Sequence, residues 1–177
     1  MGSDLALRGS LYQWNMRDLV VLGIDPVSGL SQYQAGDTVN AKGIELSADK
    51  TWPGGARLRG SLSFQQVRDA SGAPLTNSPE RLGKLNFSAP LPMAGLRLGY
   101  ELQYDSPRLT RDGSTLGGYA ISNLYLSTDK LAKGLTLGLG LRNLFDQYYA
   151  HPGADTNWQN ALEQDGRSVR LDARYRF

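Results

Sequence analysis

Apolar and polar residues alternate with a period of two over much of the chain. Residues 96–104 are the clearest example: leucine or tyrosine occupies every even position, and Arg97, Glu101 and Gln103 lie among the odd ones. Successive side chains of a β-strand point to opposite faces of a sheet, whereas a helix would scatter both sets around its circumference. This segment is therefore predicted to be a strand with one apolar and one polar face.

Further segments with the same alternation bring the predicted total to about eight strands. They lie at residues 44–52, 58–64, 85–91, 135–141 and 169–177, with less regular examples at 5–16 and 119–126. In the segment at 5–16 the apolar side changes near Leu11 and Tyr12. Such a change predicts a β-bulge at that point.

The connections between the predicted strands alternate in length. Short connections lie at residues 53–55, 92–95 and 129–134, and long polar ones lie at 17–38, 68–81, 105–117 and 150–167. Short turns at one end and long loops at the other are typical of outer-membrane barrels. The sequence thus predicts an all-β fold, an antiparallel meander that forms a segment of a transmembrane β-barrel. A water-soluble sandwich or barrel also alternates in this way, so periodicity alone leaves both open.

The polar face of the predicted sheet is strongly charged. Its charged residues are Arg57, Arg59, Arg97, Arg142, Arg170, Arg174 and Arg176, with Glu45, Asp49, Glu101 and Asp172. A sandwich would expose this face to water, whereas a membrane barrel would line its interior with it. The apolar face has few β-branched residues, which favours the barrel. That face must then point to lipid, because an arginine at the bilayer midplane costs about 2–4 kcal/mol.

Aromatic residues lie near the ends of the predicted strands. They are Trp52, Phe64, Tyr104, Tyr119, Tyr148, Tyr149, Tyr175 and Phe177. Two rows of aromatic side chains, one at each membrane interface, are typical of transmembrane barrels. We therefore expect these residues to form two girdles.

Composition excludes several other classes of protein. The 177 residues include no cysteine and one histidine, so disulfide scaffolds, thiol catalysts and sites that need two imidazoles are excluded. The net charge of +2 gives no support for nucleic acid as a partner. No apolar run approaches the length of a membrane-spanning helix. The start of the sequence shows no signal peptide, and we expect the chain to be a piece of something larger or a processed product.

The last segment resembles a known type of strand. Val169, Leu171, Ala173 and Tyr175 occupy alternate positions, and the chain ends on Phe177. This arrangement is similar to the terminal strand of bacterial outer-membrane proteins, which the barrel-assembly machinery recognises. The resemblance implies the same role for these five residues.

Four other motifs resemble a single family, the TonB-dependent receptors. The most specific is Asn-Leu-Phe-Asp with a tyrosine two residues later, within residues 141–149, which is similar to the penultimate strand of that family. Residues 41–46 are similar to its Gly-x-Glu strand. The segments 75–79 and 165–167 are also similar to stretches that precede strands in the family. These motifs occur in the family's order and extend over nearly the whole chain.

The resemblance implies a barrel of about twenty-two strands in the bacterial outer membrane, preceded by a plug domain. Residues 1–177 show neither the plug nor a TonB box, so they correspond to the C-terminal part of such a barrel, and TonB would act only through the missing plug. The implied function is TonB-dependent uptake of a metal chelate, with ferric siderophores as the first ligand class and cobalamin as the other. The implied protein is a receptor and not an enzyme, without a cofactor or bound metal.

The long loops contain the candidate ligand-binding residues. They are Arg108, Arg111, Tyr148, Tyr149, His151 and Trp158, with Asp155 in the same final loop. Arginine suits the negative charge of a chelate and aromatic rings suit its flat groups. A simpler interpretation makes the two tyrosines interfacial anchors and His151 a solvated loop residue, and it stays open.

Two alternatives concern the whole chain. Eight strands are enough for a small barrel filled by side chains, which would act as an anchor, adhesin or lipid-modifying enzyme. Glycines on the inward face, such as Gly43 and Gly138, leave little bulk to fill such a barrel. We therefore expect an open sheet unless other strands complete it. For catalysis, His151, Asp155 and a serine are the only candidate set, and no nucleophile-elbow motif accompanies them.

Overall fold

The computed structural model describes residues 4–36, 38–93, 95–154 and 156–177, and these residues form β-strands, turns and loops. In chain order the strands are β1 (Asp4–Met16), β2 (Val20–Ile24), β3 (Ser31–Ala35), β4 (Val39–Thr51), β5 (Arg57–Arg68), β6 (Arg81–Pro90), β7 (Arg97–Asp105), β8 (Arg108–Leu109), β9 (Thr115–Leu116), β10 (Tyr119–Ala132), β11 (Leu135–Arg142), β12 (Ala150–Pro152), β13 (Ala161–Glu163) and β14 (Ser168–Tyr175). No helix with the length and apolar character of a membrane span occurs in the described part of the chain.

Eight of these strands form one antiparallel sheet. Their order is β1-β4-β5-β6-β7-β10-β11-β14, so each strand pairs with the next long strand along the chain. This order is the predicted meander, and the predicted number of strands is confirmed. Within the described residues β1 and β14 each pair on one side only, so the sheet is open, as expected for a piece of a larger barrel.

The connections have the predicted lengths. At one end of the sheet, short turns join β4 to β5, β6 to β7 and β10 to β11. Gly134 occupies the last of these turns with φ of 78°, a left-handed conformation that glycine adopts without strain. At the other end, three of the predicted long polar loops contain short hairpins, β2–β3, β8–β9 and β12–β13, which alternation did not predict.

The register of the ladders separates the two faces as predicted. On the apolar face Leu139 lies opposite both Leu126 and Leu171. On the polar face Asp49 lies opposite Arg59. Large apolar side chains stay exposed along the apolar face, with Leu46 at 48% and Leu171 at 77%, and no second layer among the described residues covers them. A packed sandwich is therefore wrong, because its leucines would be buried against a facing sheet.

The predicted bulge in the first strand is wrong. β1 and β4 pair without interruption from Asp4 opposite Thr51 to Met16 opposite Val39. Tyr12 and Trp14 therefore lie on the polar face of the sheet. Glycine at position 43 makes this possible, because a Cβ there would lie 2.5 Å from the Tyr12 hydroxyl oxygen.

A register shift occurs elsewhere, between Thr128 and Ala132 at the end of β10. This irregularity precedes the turn at Gly134, where the strand leaves the ladder that it forms with β11. Alternation does not predict this shift, because only residues 119–126 of β10 alternate.

The expectation for the aromatic girdles needs a correction. Phe64 and Tyr104 lie on the apolar face toward the loop end, and Tyr175 lies on the same face toward the turn end. Tyr119 instead lies on the polar face opposite Asp105, and Tyr149 packs against it. Both find polar partners or ring contacts inside the loops, so they do not belong to a lipid-facing row.

The residues proposed for barrel assembly lie on β14, an edge strand of the sheet. Val169, Leu171, Ala173 and Tyr175 pair with alternate residues of β11 and share its apolar face. Phe177 follows the strand, and its ring contacts that of Tyr175 at 5.2 Å between centroids. Their recognition by an assembly machinery stays a prediction.

Candidate functional site

The polar face of the sheet contains a groove of about 410 Å³ between β5 and β14. Four arginines and two carboxylates contribute to it: Arg57, Arg59, Arg142, Arg170, Glu101 and Asp172. Arg57 pairs with Asp49, and Arg170 pairs with Asp172. Among the described residues neither Arg59 nor Arg142 forms an ion pair, so their guanidinium groups are available to an anion in the groove.

The floor of the groove depends on glycine. Tyr125 lies on the polar face between Gly99 and Gly140, which are its direct partners on the neighbouring strands. Its ring extends over Gly138, where a Cβ would lie 2.0 Å from the Tyr125 hydroxyl oxygen. The tyrosine therefore lies flat on the sheet, which leaves the space above it open and presents an aromatic surface there.

Above the groove, three loops are joined by hydrogen bonds into one unit, which we call the loop platform. It comprises residues 69–80, residues 106–118 and the described residues of the final loop, 143–154 and 156–167. The Asn77 amide donates to the Leu109 carbonyl at 2.8 Å, which links the first loop to the second. Arg111 donates to the Asn157 carbonyl at 2.8 Å, which links the second loop to the third. The platform is therefore held by contacts between loops as well as within them.

A buried polar cluster lies where the platform meets the sheet. Asp105 accepts hydrogen bonds from the Tyr119 hydroxyl at 2.5 Å and from Arg108 at 2.7 Å. The Arg108 and Asp105 side chains are only 10% and 7% exposed. Tyr119 has a single hydroxyl proton, which goes to Asp105, so His151 must donate to the Tyr119 oxygen from Nε2, at 2.9 Å.

A second polar cluster holds the β8–β9 turn. The Thr110 hydroxyl lies 2.6 Å from Asp112 and 2.7 Å from the Ser114 hydroxyl, and Thr110 is fully buried. Asn160 donates to the same Ser114 hydroxyl at 3.1 Å. Hydrogen bonds from Thr110, and then from Ser114, hold the pKa of Asp112 well below its ordinary value.

The Asn-Leu-Phe-Asp motif forms a turn rather than part of a strand, which corrects the predicted assignment of residues 141–149 to the penultimate strand. β11 ends at Arg142, and Asn143 has a φ of 49° and is buried. The Asn143 side chain accepts from the Gln147 amide at 2.8 Å and donates to the Gln147 carbonyl at 2.9 Å. Asp146 accepts from the Arg167 amide at 2.7 Å, so the turn also anchors the end of the final loop.

The predicted ligand-binding residues separate into two groups. Arg108, Tyr149 and His151 come together around Tyr119, and the rings of Tyr119 and Tyr149 are 4.7 Å apart. Arg111, Tyr148 and Trp158 lie apart from that cluster. Tyr148 donates to Glu163 at 3.0 Å, and Trp158 is 87% exposed. Asp155 lies outside the described residues.

A hydrogen bond raises the pKa of Tyr148. Its hydroxyl donates to the Glu163 carboxylate, and loss of hydration and the negative charge of that carboxylate add to the effect. The loss of the proton would place two negative charges side by side. Tyr148 therefore stays protonated at neutral pH and can donate to a ligand only by leaving Glu163.

A cavity of about 280 Å³ lies between the platform and the groove. Tyr149, His151 and Asn143 line its upper part, and Glu101, Asn123 and Arg142 line both this cavity and the groove below. The two spaces therefore adjoin beneath the platform and share these three polar residues. Within the described residues, no group of three or more histidine, aspartate or glutamate side chains could hold a bare metal ion.

Sequence reasoning missed Asp105, Tyr119 and Arg142 as parts of this site. Arg142 was recognised as a charge of the polar face but not as a link between groove and cavity. Asp105 and Arg108 are three residues apart, and that spacing was the available signal for their pairing. No sequence signal brings either of them to His151, because that contact depends on how two distant loops fold over the sheet.

An open antiparallel meander with an apolar face, a charged face and long linked loops at one end defines a β-barrel wall segment. The chain belongs to the family described as TonB dependent receptor-like, beta-barrel, whose model matches residues 1–144. The family resemblance inferred from the motifs is thus confirmed.

Solved structures agree with this fold. The FrpB iron transporter of Neisseria meningitidis superposes with a TM-score of 0.75 at 19% identity, over 98% of this chain and 29% of that one. The pyoverdine receptor FpvA of Pseudomonas aeruginosa PAO1 gives 0.77 at 17% identity, over 98% and 27%. The ferric-catecholate import receptor Fiu of E. coli K12 gives 0.76 at 18%, over 98% and 25%.

The chain therefore spans little more than a quarter of the length of these structures. No curated protein matches the chain significantly.

Proposed function

We propose that this chain forms part of the barrel wall of a bacterial outer-membrane receptor that binds a ferric chelate, with a ferric siderophore as the substrate class. The observation that carries the proposal is the polar groove and the adjoining cavity beneath the loop platform, where Arg59 and Arg142 lack ion-pair partners among the described residues. Its support from similarity is that the matched structures are named as an iron transporter, a pyoverdine receptor and a ferric-catecholate receptor.

The chemistry of the site suits an anionic chelate. Ferric complexes of catecholates carry negative charge and flat rings, and arginine binds both through charge-assisted hydrogen bonds and stacking. Tyr125 adds an aromatic surface to the groove, and its side chain is 42% exposed. In this proposal Arg59 and Arg142 hold the chelate's negative charge, and Tyr125 packs against its rings.

The apolar face fits the same proposal. Leucines on neighbouring strands form a continuous band, such as Leu98 opposite Leu126 and Leu139 opposite Leu171. In the outer membrane this band would contact acyl chains, while the arginine-bearing face would look into the barrel interior. TonB would act on the assembled receptor through a plug domain.

Binding of chelates by variants of the assembled receptor tests this proposal. Arg59→Gln and Arg142→Gln are each expected to weaken binding of a ferric catecholate about ten- to a hundredfold, since one charge-assisted hydrogen bond contributes about 1.5–3 kcal/mol. Lys84→Gln is the matched control, because Lys84 lies on the same face but outside the groove. Unchanged binding in both arginine variants would contradict the proposal.

The same variants distinguish chelate binding from a second possible role of the arginines, which is to hold a plug domain. If they pair with acidic residues of a plug domain instead, both variants will bind the chelate normally, and the plug will be released at lower denaturant concentration. A stand-alone eight-stranded barrel, acting as anchor, adhesin or lipid-modifying enzyme, is less well supported because β1 and β14 do not pair with each other.

A further inference from the structure

The apolar face of the sheet carries positive charge at its loop end. Lys42 and Arg81 both line an outward groove of about 690 Å³ formed by β1, β4, β5 and β6. Arg81 lies on the same face as Phe64, its direct partner across the ladder, and Lys42 lies two residues beyond Ile44 on that face. Both side chains are exposed. The cations therefore border the apolar band rather than the interior.

Neither cation is neutralised within the described part of the chain, where no ion pair includes Lys42 or Arg81. Glu80 also lines the groove, but its carboxylate accepts a hydrogen bond from Arg68 at 2.8 Å. Gln13 and Gln66 add uncharged hydrogen-bonding groups. The groove thus offers two free positive charges and two amides, which suits a phosphate group.

An apolar groove continues from the first one toward the turn end. It has a volume of about 740 Å³, and Leu46 and Leu62 line it two residues below Ile44 and Phe64 on the same strands. Gly60 and Gly83 form part of its floor and have no side chains that would fill it. A Cβ at Gly60 would lie 3.7 Å from the Leu85 side chain, and a Cβ at Gly83 would lie 3.4 Å from that of Leu62. The depression has the shape and polarity to hold hydrocarbon chains.

We propose that the two grooves together form a binding site for one membrane lipid with a phosphate-bearing head group. Lys42 and Arg81 bind the phosphate, and the acyl chains lie over Leu46, Leu62 and the two glycines. The inference rests on the proposed function, because it requires the apolar face to point to lipid. It adds a specific, structurally bound lipid on the outer surface of the barrel, separate from the chelate site on the inner face.

Charge and geometry favour this occupant over a protein partner. The cations lie in adjacent rows of the ladder at the loop end of the apolar band, Arg81 level with Phe64 and Lys42 level with Gln66. In the membrane this end of the band would lie where lipid head groups meet hydrocarbon. A protein partner would have to supply acidic and apolar residues inside the membrane plane, where carboxylates are costly to bury. A phosphorylated lipid places its negative charge beside the cations and its acyl chains over the apolar groove without that cost.

The test measures lipid retained by the assembled receptor after extraction into mild detergent. Native mass spectrometry and phosphate analysis of the purified protein give the amount bound. The double variant Lys42→Gln/Arg81→Gln is expected to retain about tenfold less phosphate-bearing lipid. Lys42→Arg/Arg81→Lys, which keeps both charges, is expected to restore most of the retention.

Two control variants separate this site from general effects. Arg97→Gln/Arg174→Gln removes the same charge from the inner face of β7 and β14, outside both grooves, and should retain lipid like the unmodified protein. Gly60→Leu fills the apolar groove with the charges intact, and should lower retention severalfold. Equal retention in the Lys42/Arg81 variant and the inner-face control would overturn the proposal.

The source of the phosphate is tested on delipidated protein. Vesicles with a phosphate-bearing anionic lipid should restore binding, while vesicles of a phosphate-free glycolipid with the same chains, or free inorganic phosphate, should not. Displacement of the lipid by equimolar inorganic phosphate would reduce the site to an anion site and overturn the lipid assignment. Chelate binding is measured in parallel, so that loss of the proposed receptor function and loss of the lipid site are read separately.

Discussion

The first long loop and the loop platform differ in what holds them. The first loop, residues 17–38, contains the β2–β3 hairpin, whose apolar side chains stay exposed, with Ile24 at 69% and Val27 at 94%. The platform instead contains buried polar residues such as Ser106, Thr110 and Asn143. A loop held by buried hydrogen bonds has few alternative conformations, whereas a two-stranded hairpin without packing is marginal in water.

The difference follows from position in the sheet. The loops of the platform follow β5, β7 and β11, which have strands on both sides, so each loop has neighbours to bond with. The hairpin follows β1, the edge strand. A further strand joined to that edge would bring its own loop beside the hairpin, and could cover its apolar residues.

The largest effect on the platform is expected from Asp105→Ala. This substitution leaves Arg108 buried without its carboxylate, and breaking a buried ion pair from one side typically costs about 3–5 kcal/mol. The loop containing Arg108 and Arg111 should open, so trypsin should cleave there about a hundredfold faster or more. Glu80→Ala, which breaks the more exposed pair with Arg68, should change the cleavage rate by less than about fivefold.

Asn143→Ala should have the next largest effect. The alanine removes the two hydrogen bonds to Gln147. It also has to adopt the left-handed φ of 49° without the side-chain hydrogen bonds that stabilise asparagine there. The expected loss is about 2–3 kcal/mol in the free energy of local opening, measured by amide exchange of residues 144–147. Asn143→Gly removes the same hydrogen bonds without the backbone strain, and should recover about 1 kcal/mol. Equal losses in both variants would assign the whole effect to the side chain.

The sheet was predictable from sequence because its signal is local. Alternation in segments such as 96–104 fixes which residues share a face, and the register of β6, β7 and β10 confirms it. The first strand failed because Tyr12 and Trp14 are apolar in composition but lie on the polar face, where Gly43 gives Tyr12 room. A hydropathy pattern along one strand does not show that a glycine lies opposite on the neighbouring strand.

The site was less predictable because it joins distant loops. Arg108 and His151 were selected for their chemistry, but their common partner Tyr119 was assigned to a lipid-facing girdle. The contact between Arg111 and Asn157 spans 46 residues of sequence, and nothing in either loop marks it. Folding of the loops over the sheet decides these contacts.

Tyr119→Phe tests, with a smaller change, the buried polar cluster where the platform meets the sheet. The ring packing against Tyr149 is kept, while the hydroxyl that bridges Asp105 and His151 is lost. Asp105 retains Arg108 as a donor, so the expected loss is only about 1 kcal/mol in the free energy of platform opening. Amide exchange of residues 105–118 and 150–152 measures it. A loss as large as that of Asp105→Ala would show that the hydroxyl, rather than the ion pair, holds the loops.

Acid should loosen the β8–β9 turn. The pKa of Asp112 is lowered from 3.8 in the folded protein, so its hydrogen bonds stabilise the turn fully above that pH. That contribution is lost as the pH falls through the folded-state pKa. The exchange rate of the Ser114 amide, corrected for intrinsic pH dependence, should therefore rise only below a pH of 3.8. In Asp112→Asn, which does not titrate, the corrected rate should not change over this range.

The smallest effect is expected in the first loop, and it tests the comparison from the other side. Ile24→Ser and Val27→Ser replace exposed apolar residues that contribute little burial, so each should change the unfolding free energy of this chain by less than about 0.5 kcal/mol. In a receptor with further strands beyond β1, the same substitutions should cost more, because burial of an aliphatic side chain contributes about 1.5–3 kcal/mol. Urea unfolding of both forms in detergent gives the two values. Equal small costs in both forms would mean that the hairpin stays uncovered, and that its apolar residues serve contacts outside the barrel.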